Sequence, residues 1–317
     1  MITFTAKNHT MTLHAPFVGL VPAALTPFTA SGELNLAMVE KQAEVFVQER
    51  VAGVFVGGTT GEFSSLTLAE RDALTVRWAA VLKGTPVRLV VHVGANCLAE
   101  SRALAARADS LGAAAIAMVC PSYLKPRSPE LVIECCRDVA AAAPNTPFYY
   151  YDIPVLTGVT FPVADWIDAA ADRVPTLAGV KFTNPDLMTL QRVLQAVGGR
   201  LDVLYGMDEQ VLAAIVLGCR GAVGSGYNFA APLYQRLFDA ANRGDFATAR
   251  ELQFQGAVLT QVMFRAGYFA AAKELTRMRG LDLGPVRLPL PNFTPEQAAA
   301  FRKDFDRLGG PATFWAG

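Results

Sequence analysis

The decisive stretch of the sequence is Leu177-Ala178-Gly179-Val180-Lys181-Phe182-Thr183-Asn184-Pro185. It is an apolar, strand-like run that ends in a lysine, a hydroxyl residue and a turn. An ammonium group that is buried without a partner costs several kcal/mol, so a lysine in such a run needs an explanation. One explanation is chemical, because burial lowers a lysine pKa toward neutrality and the free amine can then form a Schiff base with a carbonyl. The alternative is a lysine at a strand end that reaches water or a carboxylate.

Strand-like runs recur on both sides of this stretch, and helical segments separate them. The predicted strands are Gly19–Leu25, Ala52–Val56, Val87–Val93, Ala114–Val119, Phe148–Ile153, Gly179–Phe182, Leu201–Tyr205 and Gly221–Gly224. Several are apolar on both faces, as parallel strands covered by helices must be. The alternation predicts an α/β fold, a (β/α)₈ TIM barrel, which typically occupies roughly 250 residues. A doubly wound sheet is the alternative, but its GxGxxG fingerprint does not follow the first strand.

Helical periodicity fills the intervals and continues beyond the last strand. The predicted helices are Asn35–Glu49, one that starts near Thr67 with Glu70 in a capping box, Ala99–Leu111, Pro129–Ala142, Leu233–Arg243, Phe246–Ala266, Phe269–Met278 and Thr294–Leu308. We therefore divide the chain into an N-terminal extension (1–16, with Met11 as an alternative start), the barrel (17–243) and a C-terminal helical region (244–317).

Composition excludes several classes of partner. Hydrophobic residues make up 52% of the 317 residues and charged residues 18%, which is typical of a globular enzyme. Lys and Arg together number 28, as do Asp and Glu, so the chain has no basic footprint for nucleic acid or an anionic membrane. No run reaches the roughly 18 apolar residues of a membrane span, and the N-terminus lacks the apolar core of a signal peptide.

The cysteine and histidine content argues against metal and hydrolase chemistry. The five cysteines show no CxxC spacing, which predicts reduced thiols in a cytoplasmic protein. Of three histidines, His9 and His14 precede the first predicted strand and His92 alone lies in the body of the chain. This distribution is unfavourable for a His-based zinc site or a Ser/His hydrolase. We expect no metal.

A barrel carries its active site at the carboxyl ends of its strands. The polar residues predicted there are Thr59, Thr60, Tyr151, Asp152, Lys181, Thr183, Asp208, Glu209, Ser225, Tyr227 and Asn228. The Gly57–Glu62 turn can form a backbone nest for a carboxylate or phosphate, although a tight turn explains its glycines equally well. Tyr151 is either a proton relay or an aromatic packing residue. Asp208 and Glu209 either bind a polyol or cap a helix.

Three short motifs together resemble a known family. They are Gly-Thr-Thr-Gly-Glu at Gly58–Glu62, Tyr-Asp-Ile-Pro at Tyr151–Pro154 and Gly-Val-Lys at Gly179–Lys181. Their sequences and their places at strand ends are similar to the N-acetylneuraminate lyase / dihydrodipicolinate synthase family of pyruvate-dependent class I aldolases. The resemblance covers nearly the whole chain from Leu25 onward.

This resemblance implies a mechanism and an assembly. Lys181 would form an imine with pyruvate. The protonated imine would serve as the electron sink, without a metal or organic cofactor. Tyr151 would shuttle protons, and Thr59 and Thr60 would hold the pyruvate carboxylate. Tyr123 matches a catalytic tyrosine that neighbouring subunits exchange, so the family pattern implies a homotetramer.

The resemblance also indicates a branch of the family. Dihydrodipicolinate synthases carry an arginine for the aldehyde's carboxylate where this chain has Leu156, as the sialic-acid-cleaving members do. In those members the residues that match Thr183, Gly206, Asp208, Glu209 and Ser225 contact the polyhydroxyl tail of the sugar. We therefore expect cleavage of N-acetylneuraminate to N-acetylmannosamine and pyruvate.

One position departs from the pattern of that branch. The threonine of its Gly-Ser-Thr-Tyr-Asn motif is replaced by Gly226, which would enlarge the pocket or remove a polar contact. The alternatives are another pyruvate-dependent aldolase or dehydratase that acts on a 2-keto-3-deoxy sugar acid, dihydrodipicolinate synthase, and a non-catalytic barrel that senses pyruvate or a sugar acid.

Overall fold

The structure is a computed structural model that describes residues 15–316. The strands are β1 (Gly19–Pro22), β2 (Gly53–Val56), β3 (Arg88–His92), β4 (Ala115–Met118), β5 (Phe148–Asp152), β6 (Leu177–Phe182), β7 (Asp202–Tyr205) and β8 (Gly221–Gly224). The helices are α1 (Ala37–Gln48), α2 (Leu68–Leu82), α3 (Leu98–Ser110), α4 (Pro129–Ala140), α5 (Pro154–Thr157), α6 (Ile167–Arg173), α7 (Leu187–Val197), α8 (Val211–Leu217), α9 (Ala231–Asn242), α10 (Phe246–Ala266), α11 (Tyr268–Met278), α12 (Pro295–Arg307) and α13 (Gly310–Phe314). The predicted extension 1–16, with Met11, lies almost wholly outside the described residues.

The eight strands form one parallel sheet in the order β1-β8-β7-β6-β5-β4-β3-β2. The sheet closes where β1 meets β2. There the Ala52 N–H donates to the Leu20 carbonyl (2.8 Å) and the Ala24 N–H donates to the Phe55 carbonyl (2.9 Å). Helices alternate with the strands along the chain. The predicted (β/α)₈ barrel is confirmed.

Strand β5 shows how the alternation of side chains builds two cores. Tyr149 and Tyr151 point into the barrel, whereas Tyr150 points outward and packs edge-on against Trp166 with ring centroids 4.8 Å apart. All five residues of this strand are buried. The apolar character on both faces follows, since one face fills the barrel and the other packs under helices.

The predicted first strand is too long. It was expected to run from Gly19 to Leu25, but β1 ends at Pro22, and Ala23 forms only an isolated bridge to Phe55. Beyond it, the Leu25 N–H donates to the Asn228 side chain (3.2 Å) instead of to a neighbouring strand. The predicted capping box, by contrast, is present at the start of α2.

The chain after β8 is helical, as predicted. Helix α10 packs on α9, and the segment after α11 returns to the barrel, where the Phe28 N–H donates to the Leu283 carbonyl (2.9 Å). The division into a barrel and a C-terminal region at residue 243 stays a prediction. Among residues 15–316, no helix has the length and apolar character needed to cross a membrane.

Candidate active site

Strand β6 carries Lys181 into the barrel, where its side chain is only 4% exposed. Its Nζ lies 3.8 Å from the ring centroid of Tyr151 and 4.0 Å from that of Phe55. Burial lowers the pKa of Lys181 from its usual 10.5, while Tyr151 and Asp208 partly oppose that shift. The alternative of a lysine that reaches water is therefore wrong, and the amine is favoured as a nucleophile.

Tyr151 lies beside Lys181 because β5 and β6 pair in parallel with these two residues in register. The Tyr151 hydroxyl is 3.4 Å from the Thr59 Oγ1, at the long end of hydrogen bonding. The Tyr151 ring is held edge-on by Phe55 and His92, with centroids 5.7 and 6.0 Å away. Packing thus fixes the phenol with its hydroxyl close to a threonine hydroxyl and its face under the amine.

The turn after β2 contacts the end of β8 across the mouth of the barrel. Thr60 Oγ1 and Ser225 Oγ are 2.7 Å apart, although 165 positions separate them in sequence. Thr60 is buried and Thr59 is half-buried. Two hydroxyls, those of Thr60 and Ser225, therefore meet at the mouth of the barrel beside a glycine-rich turn, an arrangement that suits a carboxylate.

Asp208 occupies space that two glycines leave open. A Cβ on Gly224 would lie 1.6 Å from the Asp208 Oδ1, and one on Gly226 would lie 2.9 Å from its Oδ2. The Gly226 N–H donates to Oδ2 (2.7 Å), and the Tyr227 hydroxyl also interacts with this carboxylate, although the buried Oδ1 has no hydrogen bond of ordinary geometry within residues 15–316. Burial raises the pKa of Asp208 to about 7, so this group exchanges its proton near neutrality.

Gly206 leaves room for the side chain of Thr183, as Gly224 does for Asp208. A Cβ on Gly206 would lie 1.9 Å from the Thr183 Oγ1, so only glycine leaves room for that hydroxyl. The Thr183 Oγ1 is buried, and none of the described residues forms a hydrogen bond with it. Glu209 is half-buried beside Asp208, and burial raises its pKa as well. A buried oxygen without a hydrogen-bond partner lowers the stability of the folded chain. A polar ligand can supply the missing hydrogen bond, so such an oxygen indicates a ligand-binding site.

The space that the missing side chain of Gly226 leaves lies between Asp208 and a buried aromatic ring. The missing Cβ would contact the Asp208 carboxylate and, at 3.1 Å, the Cε2 of Tyr234. Tyr234 is buried, and its ring packs on Tyr227 with centroids 5.0 Å apart. Gly226 therefore makes room for an aromatic side chain behind Asp208.

Two of the predicted positions lie at the surface of the single chain. The Tyr123 side chain is 85% exposed on the loop after β4, so one chain alone does not bury it in the cluster around Lys181. Leu156, in α5, is 59% exposed.

Asp152, by contrast, is buried. It accepts a hydrogen bond from the Asn184 side chain (3.2 Å), and burial raises its pKa to about 6.

Sequence reasoning missed Phe55 and the role of His92. Phe55 supplies one of the two rings against the Lys181 amine. His92 is buried next to Tyr151, and its Nδ1 lies 2.8 Å from the Gly57 carbonyl oxygen, which assigns the ring proton to Nδ1. Burial lowers the pKa of His92 well below its usual value, so the ring is neutral. Side chains alternate between the inside and the outside of the barrel along β2 and β3. This alternation is the sequence signal that could have placed both rings inside the barrel.

Comparisons with known proteins agree with this geometry. A family model described as the dihydrodipicolinate synthetase family matches residues 16–307. N-acetylneuraminate lyase of Gallus gallus is 36% identical over 305 residues, which cover 95% of this chain and 99% of that protein. The solved N-acetylneuraminate lyase of Proteus mirabilis superposes with a TM-score of 0.89 at 34% identity and covers 93% of this chain and 99% of its own. A Ruminococcus gnavus sialic acid aldolase, solved as a catalytic lysine mutant, has a TM-score of 0.87 at 29% identity over 92% of this chain and 96% of its own.

Proposed function

The chain belongs to the dihydrodipicolinate synthetase family, and we propose that it is a Schiff-base aldolase that cleaves N-acetylneuraminate to N-acetylmannosamine and pyruvate. The observation that carries the proposal is the Lys181 amine, buried against Tyr151 and Phe55. The Thr183 hydroxyl, which lacks a protein partner among the described residues, and the Asp208 carboxyl group are also buried at the strand ends. The relatives named above support the substrate, and one of them is described as having a catalytic lysine.

The first step is imine formation at Lys181. The neutral amine attacks the C2 ketone of the open-chain sugar acid, and the carbinolamine then takes up a proton and loses water to give a protonated imine. Burial favours this step because it lowers the pKa of Lys181 and so raises the fraction of free amine at neutral pH. The Thr59–Thr60 turn would hold the C1 carboxylate and so orient C2 toward the amine.

The second step breaks the C3–C4 bond. Tyr151 accepts the proton of the C4 hydroxyl, a carbonyl forms at C4, and the bonding electrons move into the imine to give an enamine. N-acetylmannosamine leaves as the aldehyde. The proton taken from the C4 hydroxyl is returned to C3 of the enamine, and hydrolysis of the resulting imine releases pyruvate and restores Lys181. The contact between Tyr151 and Thr59 supports this role, since the threonine hydroxyl can pass the proton onward.

The sugar tail would bind to Thr183, Gly206, Asp208, Glu209 and Ser225. Asp208 suits this task because a carboxyl group with a pKa of about 7 can donate to one hydroxyl and accept from another. Leu156 supports a sugar as the substrate that reacts with pyruvate. An aldehyde substrate with a carboxylate of its own would need a cation at this position, and the leucine side chain has none.

Reductive trapping tests the proposal. The protein is incubated with borohydride and either N-acetylneuraminate or pyruvate. The masses of the intact chain and of its peptides are then measured by mass spectrometry. We expect the same reduced pyruvyl adduct on Lys181 in both samples, together with N-acetylmannosamine when borohydride is omitted. An adduct with pyruvate alone would retain the aldolase class but reject this substrate in favour of another 2-keto-3-deoxy sugar acid. The absence of any adduct would contradict the Schiff-base mechanism and favour a sensor.

We also propose that the enzyme works as a cytoplasmic homotetramer in which Tyr123 enters a neighbouring subunit's site. Tyr123 and its neighbour Leu124 are both more than four-fifths exposed, and adjacent exposed apolar side chains of this size favour an interface. All five cysteines are free thiols, which supports a reducing compartment. We expect light scattering to give the mass of four chains, and Tyr123→Ala to weaken both assembly and turnover. A fully active monomer would contradict the subunit exchange.

A further inference from the structure

Helix α11 of the C-terminal region carries a second buried lysine. Lys273 is 3% exposed, and its Nζ donates to the carbonyl oxygens of Thr26 (2.9 Å), Leu283 (3.4 Å) and Pro285. The same atom lies 3.4 Å from the Glu62 Oε1. This ammonium group therefore joins the segment that follows β1, the segment after α11 and the turn after β2.

Glu62 completes the junction from the side of the barrel. Its side chain is buried, and its Oε2 accepts the backbone N–H of Arg287 (2.8 Å). Its φ of 56° is in the left-handed region, which for a residue with a side chain costs about 1 to 3 kcal/mol. Such a conformation persists only when the surroundings hold it, and here Lys273 and the 285–287 segment are the groups that do so.

The junction is coupled directly to the turn that carries Thr59 and Thr60. The Glu62 N–H donates to the Thr59 carbonyl (3.0 Å), and the Thr26 Oγ1 donates to the Gly61 carbonyl (2.6 Å). Lys273 contacts both Thr26 and Glu62, so it holds the turn from two sides. A shift of either partner would move the hydroxyls that face the cavity.

We propose that Lys273 and Glu62 are positioning residues, which hold the Thr59–Thr60 turn in the shape that binds the substrate's carboxylate. The C-terminal region then helps to shape the active site, because its Lys273 supports the turn from outside the barrel. This inference rests on the proposed function, since it assigns the turn to a carboxylate.

The positive charge of Lys273 matches its surroundings. One carboxylate and three carbonyl oxygens converge on its Nζ, and they would be left without this donor if the group were apolar. Burial lowers the pKa of Lys273 to about 8, so the ammonium form still predominates at neutral pH. A methionine of similar length fills the same volume without donating a hydrogen bond, which makes it the informative substitution.

The experiment compares Lys273→Met and Glu62→Gln with the wild type and with Lys303→Met, a control on the exposed face of α12. The pyruvate concentration that gives half-maximal borohydride trapping at Lys181 is measured, and acetone, a ketone without a carboxylate, is trapped in parallel. We expect that concentration to rise about 10- to 100-fold in both variants, because a small misplacement of a positioning group has effects of this size. Acetone trapping and the Lys303→Met control should match the wild type.

The outcomes separate this inference from the proposed function. If wild-type protein traps pyruvate and both folded variants trap it equally well, the positioning role is overturned. An equal loss of pyruvate and acetone trapping would also overturn it, since the defect would then lie outside carboxylate binding. If Lys273→Met fails to fold, the isosteric Glu62→Gln variant decides. Wild-type protein that traps neither ketone overturns the proposed function together with this inference.

Discussion

Replacing Lys181 by methionine should lower the rate of N-acetylneuraminate cleavage by about 10⁴-fold or more, because the residual rate then depends on binding alone. Methionine is chosen since it fills the space over Tyr151 and Phe55 without an amine. The C3–C4 bond then has no imine to receive its electrons. Steady-state release of pyruvate measures the loss, and the borohydride adduct should disappear with it.

The Lys181→Met variant should keep its fold. Removing a buried amine relieves a desolvation cost, so we expect a melting temperature at or above that of the wild type. Lys303→Met serves as the matched control, since it removes the same charge from an exposed helix position and should leave the rate unchanged. A Lys181→Met variant with wild-type turnover would end the proposed mechanism.

Replacing Tyr151 by phenylalanine should lower kcat by about 10²- to 10⁴-fold, the usual contribution of a positioned acid–base group. The ring that lies 3.8 Å from the Lys181 Nζ stays, while the hydroxyl 3.4 Å from the Thr59 Oγ1 is lost. Proton transfer from the C4 hydroxyl should therefore suffer far more than substrate binding. Single-turnover cleavage and KM for N-acetylneuraminate are the two measurements.

Tyr150→Phe is the control for this experiment. Tyr150 is the next residue of the same strand and equally buried, but it faces outward onto Trp166. Its loss of a hydroxyl should leave kcat within about twofold of the wild type, because the group lies on the opposite face of the sheet. Equal kcat losses in the two variants, or a Tyr151→Phe variant of normal rate, would contradict the role of Tyr151 in proton transfer.

The pattern of residues along the chain was sufficient for the fold. Runs such as Phe148–Asp152 and Leu177–Phe182 are apolar on both faces, and this property depends only on composition and spacing. The sequence also identified Lys181, because a lysine at the end of such a run is locally anomalous. Its resemblance to a family then assigned roles to Tyr151 and Thr59, which local physics left open.

The sequence could not show which side chains meet. Thr60 and Ser225 are 165 positions apart, and closure of the barrel alone brings their hydroxyls to 2.7 Å. The pKa of Asp208 rises to about 7 because Gly224 and Gly226 let the carboxylate sit where water is excluded, which is a property of the packed site. The contact of Gly226 with Asp208 and Tyr234 is also a property of the packed site, while the larger pocket or lost polar contact expected from this glycine stays a prediction.

The sequence by itself determined that this chain is an eightfold βα protein with a lysine near the end of an apolar strand. Both features follow from local patterns of polarity and spacing, which the chain carries in every conformation. Tertiary structure alone decided that Phe55 joins Tyr151 against the amine and that Lys273 reaches the Glu62 turn. These contacts join residues that are distant in sequence, and their energies depend on burial, which exists only once the barrel has closed.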